Sequence, residues 1–388
     1  MNIFDYLKWR RDVPFSIAPF NDVDNLILAE LAYTDFGGIV PEDGTPVPLR
    51  TAYTQFFLQH TRESVLASKS YTAPAPLLME DMYRGARFGD TQLLFYRDER
   101  DAQVDLQFSA VTFLLPDGTA YAAFRGTDGT IVGWKEDFNL SCLSTTGSQQ
   151  RAAEYLRMAG KALECPLRAG GHSKGGNLAV YAASCCGPEI QDRMTAVYSN
   201  DGPGFRPEFL AGEGYQRILP KVVSIIPDTS VIGLLMMSGS VPKVVRSTAS
   251  GIVQHDGFTW ETERDRFVPA ELSETSRLVS RTLAGWMEQT DDESRKAMTE
   301  TVFAMLEATG KKTFSDIKGS GLKSVEAMAQ SVRNLPKGSL SEVGRMMTKL
   351  GASGVQTAAS YIQNLTGGKR QEKEPGQAAA EDGPQENG

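Results

Sequence analysis

The stretch AGGHSKGGNLAVYAA, at residues 169–183, restricts the fold of this 388-residue chain more than any other. A short apolar run, CPLRAGGHS, leads into a serine between glycines, and a helical pattern of unusually small residues, GGNLAVYAASC, follows at once. A change from strand to helix within so few residues needs a sharp turn, which glycine permits. Small side chains also let a helix approach a sheet closely. We therefore expect a strand, a tight turn at Ser173 and a helix packed against a sheet.

Strand patterns and helical patterns alternate around this turn. The runs TQLLFYRDE, LQFSAVTFLLPDG and TAYAAFRGT precede it, and Pro-Asp-Gly predicts a hairpin between the last two. A helical stretch, QQRAAEYLRMAGKAL, comes next, and the strand patterns MTAVYSNDGPGF and KVVSIIPDTS follow the turn. Such alternation favours an α/β fold with a mixed, mostly parallel sheet and helices on both faces. Ligand sites in such sheets lie at the carboxyl ends of the strands.

The residue patterns along the sequence predict four regions. Residues 1–80 form a helical segment that packs on the core, with Asn21 as the cap of NDVDNLILAELAYTDF. Residues 81–267 form the α/β core, and residues 268–366 form a helical C-terminal appendage. Residues 367–388 contain almost no large apolar side chain and are predicted to be disordered.

Composition excludes several classes of protein. The formal net charge is −8, with 40 basic against 48 acidic residues, which argues against a nucleic-acid partner. No apolar run reaches the length of a membrane span or a signal peptide, so we expect a cytoplasmic protein without a transmembrane segment. The four cysteines lack metal-ligand spacing and a neighbouring histidine cluster. We expect free thiols, and neither a metal nor an organic cofactor.

Residues 171–175, GHSKG, fit the G-x-S-x-G pattern of a nucleophile elbow. In that motif the flanking glycines permit a strained strand-to-helix turn that exposes the serine oxygen at a helix N-terminus, where the helix dipole favours negative charge. The pattern alone is also compatible with a glycine-rich helix start. Its position between a short strand and a small-residue helix favours Ser173 as a nucleophile.

An elbow needs an oxyanion hole, which usually combines the amide after the serine with an amide from a loop after an earlier strand. The strand YAAFRGT ends at Gly126 and Thr127. We therefore predict the backbone N–H groups of Lys174 and Thr127 as the donors, with the Thr127 hydroxyl as a third candidate. An ordinary glycine turn after this strand is the alternative.

Three histidines are available as the general base. His60 lies in the N-terminal segment, before the sheet, and His172 adjoins the serine, where its side chain is expected to point away from Ser173. By elimination, His255 in the glycine- and aromatic-rich loop GIVQHDGFTW is the predicted base.

The acid is expected between the serine and the histidine in chain order. Asp228 closes the strand of VVSIIPDTSV, and Asp201 closes the preceding strand in YSNDGPGF. We favour Asp228 and retain Asp201 as the alternative, whose other role is a turn or cap. Asp256, next to His255, is expected to be a solvated loop residue.

Four blocks in this order, FRGTDGTIVGWKEDF, GGHSKGGNLAVYAA, VVSIIPDTSVIG and QHDGFTW, resemble those of lipase class 3-like α/β-hydrolases. The similarity is highest to a bacterial branch of that superfamily and covers roughly residues 2–267, including the N-terminal stretch. The resemblance implies an α/β-hydrolase fold, a triad of Ser173, Asp228 and His255, and an oxyanion hole at Thr127 and Lys174.

The resemblance also bears on substrate. It implies a serine hydrolase that cleaves an acyl ester or lipid-like substrate through an acyl-enzyme. Two segments are candidates for a lid or acyl wall: one after Thr127, with Trp134 and Phe138, and the Met-rich run SVIGLLMMSGSVPKVV. Packing of both segments into the core is the alternative. Lys174 departs from the apolar residue usual after the serine, and a cation there argues against a purely neutral triglyceride.

Two other functions remain open. A catalytically silent hydrolase-fold protein would use its helical C-terminal region for contact with a partner or the surface of a membrane. An amidase or a thioesterase would use the same triad. The presence of all three triad residue types favours an enzyme over the silent protein.

Overall fold

The computed structural model describes most of the chain up to residue 277 and short pieces beyond it. The described residues are 1–277 without 69, 102, 104–105, 128–134, 136–138, 141–142 and 275, together with 280, 291–293, 295–297 and 300. The predicted appendage at 268–366 lies largely outside these residues, and the predicted tail at 367–388 lies wholly outside them. Trp134 and Phe138 of the first candidate lid also lie outside the described residues.

The centre of the described part is an eight-stranded sheet in which spatial order follows chain order. Strands β1 to β4 pair antiparallel, and strands β4 to β8 pair parallel. The strands are β1 Val47–Pro48, β2 Gln92–Asp101, β3 Leu106–Leu114, β4 Ala120–Phe124, β5 Leu167–His172, β6 Met194–Asn200, β7 Val222–Pro227 and β8 Lys243–Val245. A separate antiparallel pair consists of β9 Thr262–Glu263 and β10 Arg266–Phe267.

The predicted hairpin at Pro-Asp-Gly is confirmed. Leu114 at the end of β3 pairs with Ala120 at the start of β4. Gly118 within the turn has a φ of 76°, a left-handed conformation that glycine adopts without a steric penalty. The hairpin delivers β4 beside β5, so the carboxyl end of β4 meets the turn at Ser173.

Helices cover both faces of the sheet. They are α1 Ile3–Arg10, α2 Asp22–Leu31, α3 Leu49–Gln59, α4 Arg62–Leu66, α5 Leu78–Tyr83, α6 Gly147–Ala162, α7 Lys174–Cys185, α8 Pro188–Arg193, α9 Pro207–Leu210 and α10 Glu213–Ile218. The predicted cap of α2 is confirmed, because the Asn21 side chain accepts the amides of Val23 and Asp24, and the Asp24 carboxylate accepts the Asn21 amide. This reciprocal arrangement satisfies amides that a helix start leaves unpaired.

Each face of the sheet has its own apolar core. Helices α1, α2, α3 and α5 pack on one face, against side chains such as Phe113 and Tyr121. Helices α6, α7, α8 and α10 pack on the other face, against side chains such as Phe108 and Phe124. The alternating orientation of side chains along β3 and β4 supplies both cores. The predicted α/β architecture, with a mixed sheet between two helical layers, is confirmed.

A buried ion pair fixes the N-terminal helices to the core. The Arg87 guanidinium binds both carboxylate oxygens of Asp24 on α2, and it also donates to the carbonyls of Val13, Ala18 and Pro19. Both charged side chains are fully buried. Because these partners replace the lost hydration, the pair holds α2 in place under the site described below. Within the described residues, every helix is too short or too polar to cross a membrane.

Candidate active site

Ser173 occupies a strained turn between β5 and α7. Its φ of 59° and ψ of −132° lie in a region that residues with side chains rarely adopt. The flanking glycines are sterically required: a Cβ at Gly171 would lie 2.4 Å from the Phe124 carbonyl oxygen, and one at Gly175 would lie 2.0 Å from the same atom. Strand β4 therefore passes so close to the turn that only hydrogen fits at both positions. The predicted strand, turn and helix at this motif are present.

The structure brings Ser173 and His255 together over 82 positions of sequence. His255 ends a short 3-10 helix, Gly251–His255, and its Nε2 lies 2.9 Å from Ser173 Oγ. Its Nδ1 lies 2.6 Å from Asp201 Oδ2. Because a carboxylate only accepts, Nδ1 carries the proton and Nε2 is free to accept from the serine hydroxyl. This arrangement can remove a proton from Ser173 Oγ.

The prediction of Asp228 as the carboxylate on His255 is wrong, because Asp201 occupies that position. Both aspartates follow parallel strands whose carboxyl ends meet at one edge of the sheet, so the sequence pattern does not separate them. Strand β6 neighbours β5 directly, whereas β7 is one strand further from Ser173. Asp201 also adopts a φ of 47°, which directs the chain sharply away after β6. Asp228 Oδ1 has no hydrogen-bond partner among the described residues.

Four contacts hold the Asp201 turn. Asp201 Oδ1 accepts from Ser230 Oγ at 2.5 Å and from the Gly233 amide at 3.1 Å. On the other side, the Asn177 side chain on α7 donates to the carbonyls of Pro203 at 3.1 Å and Gly204 at 2.9 Å. The turn is thus fixed both to the segment after β7 and to the helix that begins beside Ser173. Ser230 and Asn177 could not be predicted from the sequence, because neither lies in a motif that indicates its hydrogen-bond partner.

The loop after β4 lies directly against the serine. A Cβ at Gly126 would meet the His172 carbonyl oxygen at 2.6 Å and the Ser173 Cβ at 3.1 Å. Thr127, the next residue, is 2% exposed. Lys174 directly follows Ser173 and is the first residue of α7. The two predicted oxyanion donors therefore lie on the elements that flank Ser173.

The Lys174 side chain does not place a cation beside the serine in the way the sequence suggested. Its Nζ donates to the Gln107 carbonyl on β3 at 2.9 Å and lies 3.3 Å from Gln107 Oε1. The residue is 1% exposed. Since its ammonium group is buried against β3, Lys174 does not disfavour a neutral substrate, contrary to the sequence-based expectation.

His172 supports His255 through the backbone. His172 Nε2 lies 2.6 Å from the His255 carbonyl oxygen, and Nδ1 lies 3.1 Å from the Tyr33 hydroxyl. A carbonyl only accepts, so Nε2 carries the proton and Nδ1 accepts from Tyr33. Burial, and then the neighbouring His255, lower the pKa of His172 well below its usual value. A neutral His172 thus fixes the backbone of the residue that contacts the serine. His60 lies elsewhere, exposed at the end of α3.

Two acidic residues lie behind this pair of histidines. Glu30 Oε1 on α2 is 3.7 Å from His172 Nδ1, and burial raises the pKa of Glu30 well above its usual value, with Asp256 as the second cause. Burial also raises the pKa of Asp256 to about 6. The Asp256 side chain accepts the Phe258 amide, so it caps the next turn. The expectation that Asp256 is a solvated loop residue is therefore wrong.

Several apolar side chains near His255 and Asp201 reach the surface. Tyr71 approaches the His255 ring edge-on, at 6.4 Å between centroids, and Val253 is exposed just before His255. Residues 231–237, the start of the Met-rich candidate wall, are half-buried or exposed and follow the Ser230 contact. Among the described residues, no group of His, Cys, Asp or Glu side chains is arranged to hold a metal ion.

Comparison with known proteins identifies a family, and the solved structures that this chain resembles include two lipases. The Mbeg1-like family matches residues 82–304, more than half of the chain. The native Rhizomucor miehei lipase propeptide complex is 14% identical, covering 56% of this chain and 76% of that one, with a TM-score of 0.32. The M37 lipase is 12% identical, covering 76% of this chain and 99% of that one, with a TM-score of 0.33. At these scores neither structure bears on the site or substrate of this chain. No curated protein matches it.

Proposed function

The chain belongs to the Mbeg1-like family, a lipase class 3-like family with the α/β-hydrolase fold, and we propose that it is a serine hydrolase that cleaves acyl esters. This membership confirms the resemblance found in the sequence. The observation that carries the proposal is the hydrogen-bonded series from Ser173 Oγ through His255 to Asp201 Oδ2. The acid of the proposed triad is Asp201, and Asp228 has no part in it.

In the proposed reaction, Ser173 Oγ attacks the ester carbonyl while its proton passes to His255 Nε2. The imidazolium that forms is stabilised by Asp201, which lies against Nδ1. His255 then returns the proton to the leaving alcohol, and an acyl group remains on Ser173. Water attacks this acyl-enzyme with His255 again as the base, and the acid is released.

The oxyanion of each tetrahedral intermediate would be bound by the backbone N–H groups of Thr127 and Lys174. Support comes from the contact of Gly126 with Ser173 and from the position of Lys174 at the start of α7. The positive end of the α7 dipole adds to this stabilisation. Loss of one such donor costs about 10²- to 10³-fold in kcat in serine hydrolases.

The acyl group of the substrate would lie on the apolar surface beside the serine. Support comes from Tyr71, which lies against His255, from exposed Val253 and from residues 231–237, which follow Ser230; Lys174 presents no exposed charge. We therefore propose a neutral acyl ester or lipid-like ester as the substrate. We also propose that the C-terminal region, which lies largely outside the described residues, contacts the surface of a membrane.

A fluorophosphonate probe tests the proposal, because it reacts only with an activated serine. Wild type, Ser173→Ala and Ser184→Ala are compared. Ser184 is a matched control, since it is buried on the same helix and its hydroxyl donates to the Val180 carbonyl within that helix. We expect labelling of wild type and Ser184→Ala and none of Ser173→Ala. Equal labelling of all three would place the reactive serine elsewhere and refute Ser173 as the nucleophile. No labelling of folded wild type would favour a catalytically silent protein.

A panel of matched substrates then identifies the bond that is cleaved. Octanoyl esters, thioesters and amides of one leaving-group series are compared at equal concentration. We expect the ester to have the highest kcat/KM. Preference for the thioester or the amide would retain the triad and replace the proposed substrate class.

A further inference from the structure

We propose that Ser230 is a positioning residue that holds the Asp201 carboxylate in register with His255, an inference that rests on the proposed function. Among the described residues, the Ser230 hydroxyl forms hydrogen bonds with Asp201 and Gly233 and none with Ser173 or His255. Ser230 would therefore act only through Asp201. Its expected effect therefore lies on the rate of the chemical step rather than on substrate binding.

The geometry of the carboxylate divides its two oxygens between two tasks. Oδ2 faces His255 Nδ1 at 2.6 Å, and Oδ1 faces Ser230 Oγ at 2.5 Å and the Gly233 amide at 3.1 Å. Asp201 is 1% exposed and Ser230 is 2% exposed, so water does not compete for these contacts. With Oδ1 fixed by two donors, rotation about the Cβ–Cγ bond is restricted and Oδ2 stays on His255.

The turn after β7 directs the Ser230 hydroxyl. The Ser230 amide donates to the Pro227 carbonyl at 3.0 Å, which closes the turn at the end of the strand. Ser230 Oγ also accepts the Gly233 amide at 3.1 Å, so the hydroxyl hydrogen is left to point at Asp201. A Cβ at Gly233 would lie 2.5 Å from Asp201 Oδ1 and 2.6 Å from Ile226 Cγ2. Glycine is required there for the segment to approach the carboxylate.

The same segment is bound to the chain that leaves Asp201. The Gly204 amide donates to the Leu235 carbonyl at 2.8 Å, and the backbones of Phe205 and Met237 exchange two hydrogen bonds at 2.7 and 3.2 Å. Residues 230–237 and 201–205 thus form one unit around the carboxylate. Residues 231–237 also form the proposed acyl wall, so a test must separate positioning of Asp201 from contact with the acyl chain.

The test compares kcat and KM of wild type, Ser230→Ala, Ser230→Thr and Ser184→Ala on p-nitrophenyl acetate and p-nitrophenyl octanoate. Loss of a hydrogen bond to a charged group predicts a fall in kcat of about 10- to 100-fold for Ser230→Ala. The fall should be equal for both esters, with KM unchanged, because Asp201 acts on every ester alike. Ser230→Thr keeps the hydroxyl and should restore most of the rate, and Ser184→Ala should match wild type.

The split between kcat and KM and the rescue by Ser230→Thr are the readouts that a purely structural role would not produce. A cavity that only loosened the fold would change KM or stability and would not select the rate of the chemical step. A kcat of folded Ser230→Ala equal to wild type, or a rise in KM seen only with octanoate, would overturn the inference.

A double-mutant cycle covers the case in which Ser230→Ala folds poorly. Labelling rates with the fluorophosphonate probe are measured for Ser230→Ala in the wild-type and Asp201→Asn backgrounds. We expect a large effect in the first background and almost none in the second. Equal effects in both would refute a role through Asp201. Full labelling of Ser173→Ala would instead refute the proposed function itself, so the two failures are distinguishable.

Discussion

Replacement of Asp201 by asparagine should stop the reaction through a change of tautomer at His255. In wild type, Asp201 Oδ1 accepts from two donors, Ser230 Oγ and the Gly233 amide. An amide side chain must place its oxygen there, because an NH₂ group would face two donors. Its NH₂ group then occupies the position of Oδ2, 2.6 Å from His255 Nδ1.

The contact that results is donor against donor unless Nδ1 loses its proton. The proton of the neutral ring then sits on Nε2, which can no longer accept from Ser173. The equivalent change of tautomer in a serine protease lowers kcat by about 10⁴-fold. At 1.36 kcal/mol for each factor of ten, the loss of transition-state stabilisation is about 5.5 kcal/mol. We expect Asp201→Asn to lower kcat to this extent and to leave KM nearly unchanged.

The assay is steady-state hydrolysis of p-nitrophenyl octanoate, with near-ultraviolet circular dichroism as the check of folding. Asp228→Asn is the matched control, because it makes the same chemical change at the end of the neighbouring strand. We expect its kcat to stay within about threefold of wild type. Collapse of activity in Asp228→Asn together with an active Asp201→Asn would refute the assignment of the acid.

Three further predictions follow from the packing around the site. Gly175→Ala should lower the free energy of unfolding by about 3 kcal/mol or more in urea titrations, because its Cβ would lie 2.0 Å from the Phe124 carbonyl oxygen. A variant as stable as wild type would contradict this and show that β4 and α7 separate easily. Burial raises the pKa of Asp256 from 3.8 to about 6, so the folded state binds this proton more tightly than the unfolded state does. The free energy of unfolding of wild type should therefore fall by on the order of 3 kcal/mol as the pH rises from about 4 to 7. Asp256→Asn should remove that part of the pH dependence, and an unchanged slope would contradict it. Lys174→Met should leave the ratio of kcat/KM for neutral and anionic esters unchanged, since the ammonium group is bound to Gln107. A shift in this ratio would place the cation at the substrate.

The elements nearest to Ser173 in the sequence could be predicted because their signals are local. The glycines around Ser173 permit a sharp turn, and part of the steric limit lies within five residues, because a Cβ at Gly171 would lie 2.4 Å from the Gly175 carbonyl carbon. The hairpin at Pro-Asp-Gly depends on a single turn. His255 was found by elimination among three histidines, which succeeds only when the alternatives are few.

The acid could not be predicted because the choice depends on strand order. Asp201 and Asp228 both follow β-branched or apolar strands and precede turns, and the order of the strands in space decides which one reaches His255. Both aspartates lie between Ser173 and His255 in chain order, and the β-branched strand before Asp228 and the family resemblance favoured that residue. The position of β6 beside β5 favours Asp201 instead.

The direction in which a side chain points also could not be predicted from the sequence. Lys174 was interpreted as a charge at the site, whereas its long side chain extends to Gln107 on β3. The contacts of His172 with the His255 carbonyl and of Ser230 with Asp201 join residues 83 and 29 positions apart. Such contacts carry no periodic pattern, and the folded backbone alone brings the partners together.

Peptide mapping of a trapped acyl-enzyme tests the central claim most directly. Wild type is mixed with p-nitrophenyl octanoate, quenched in acid and digested with trypsin, which releases Ser173 in the hexapeptide AGGHSK at residues 169–174. We expect one octanoyl group on this peptide, located on the serine, and no adduct in Ser173→Ala. Turnover of the ester by Ser173→Ala at the wild-type rate, or an acyl group on another residue that disappears with turnover, would contradict it.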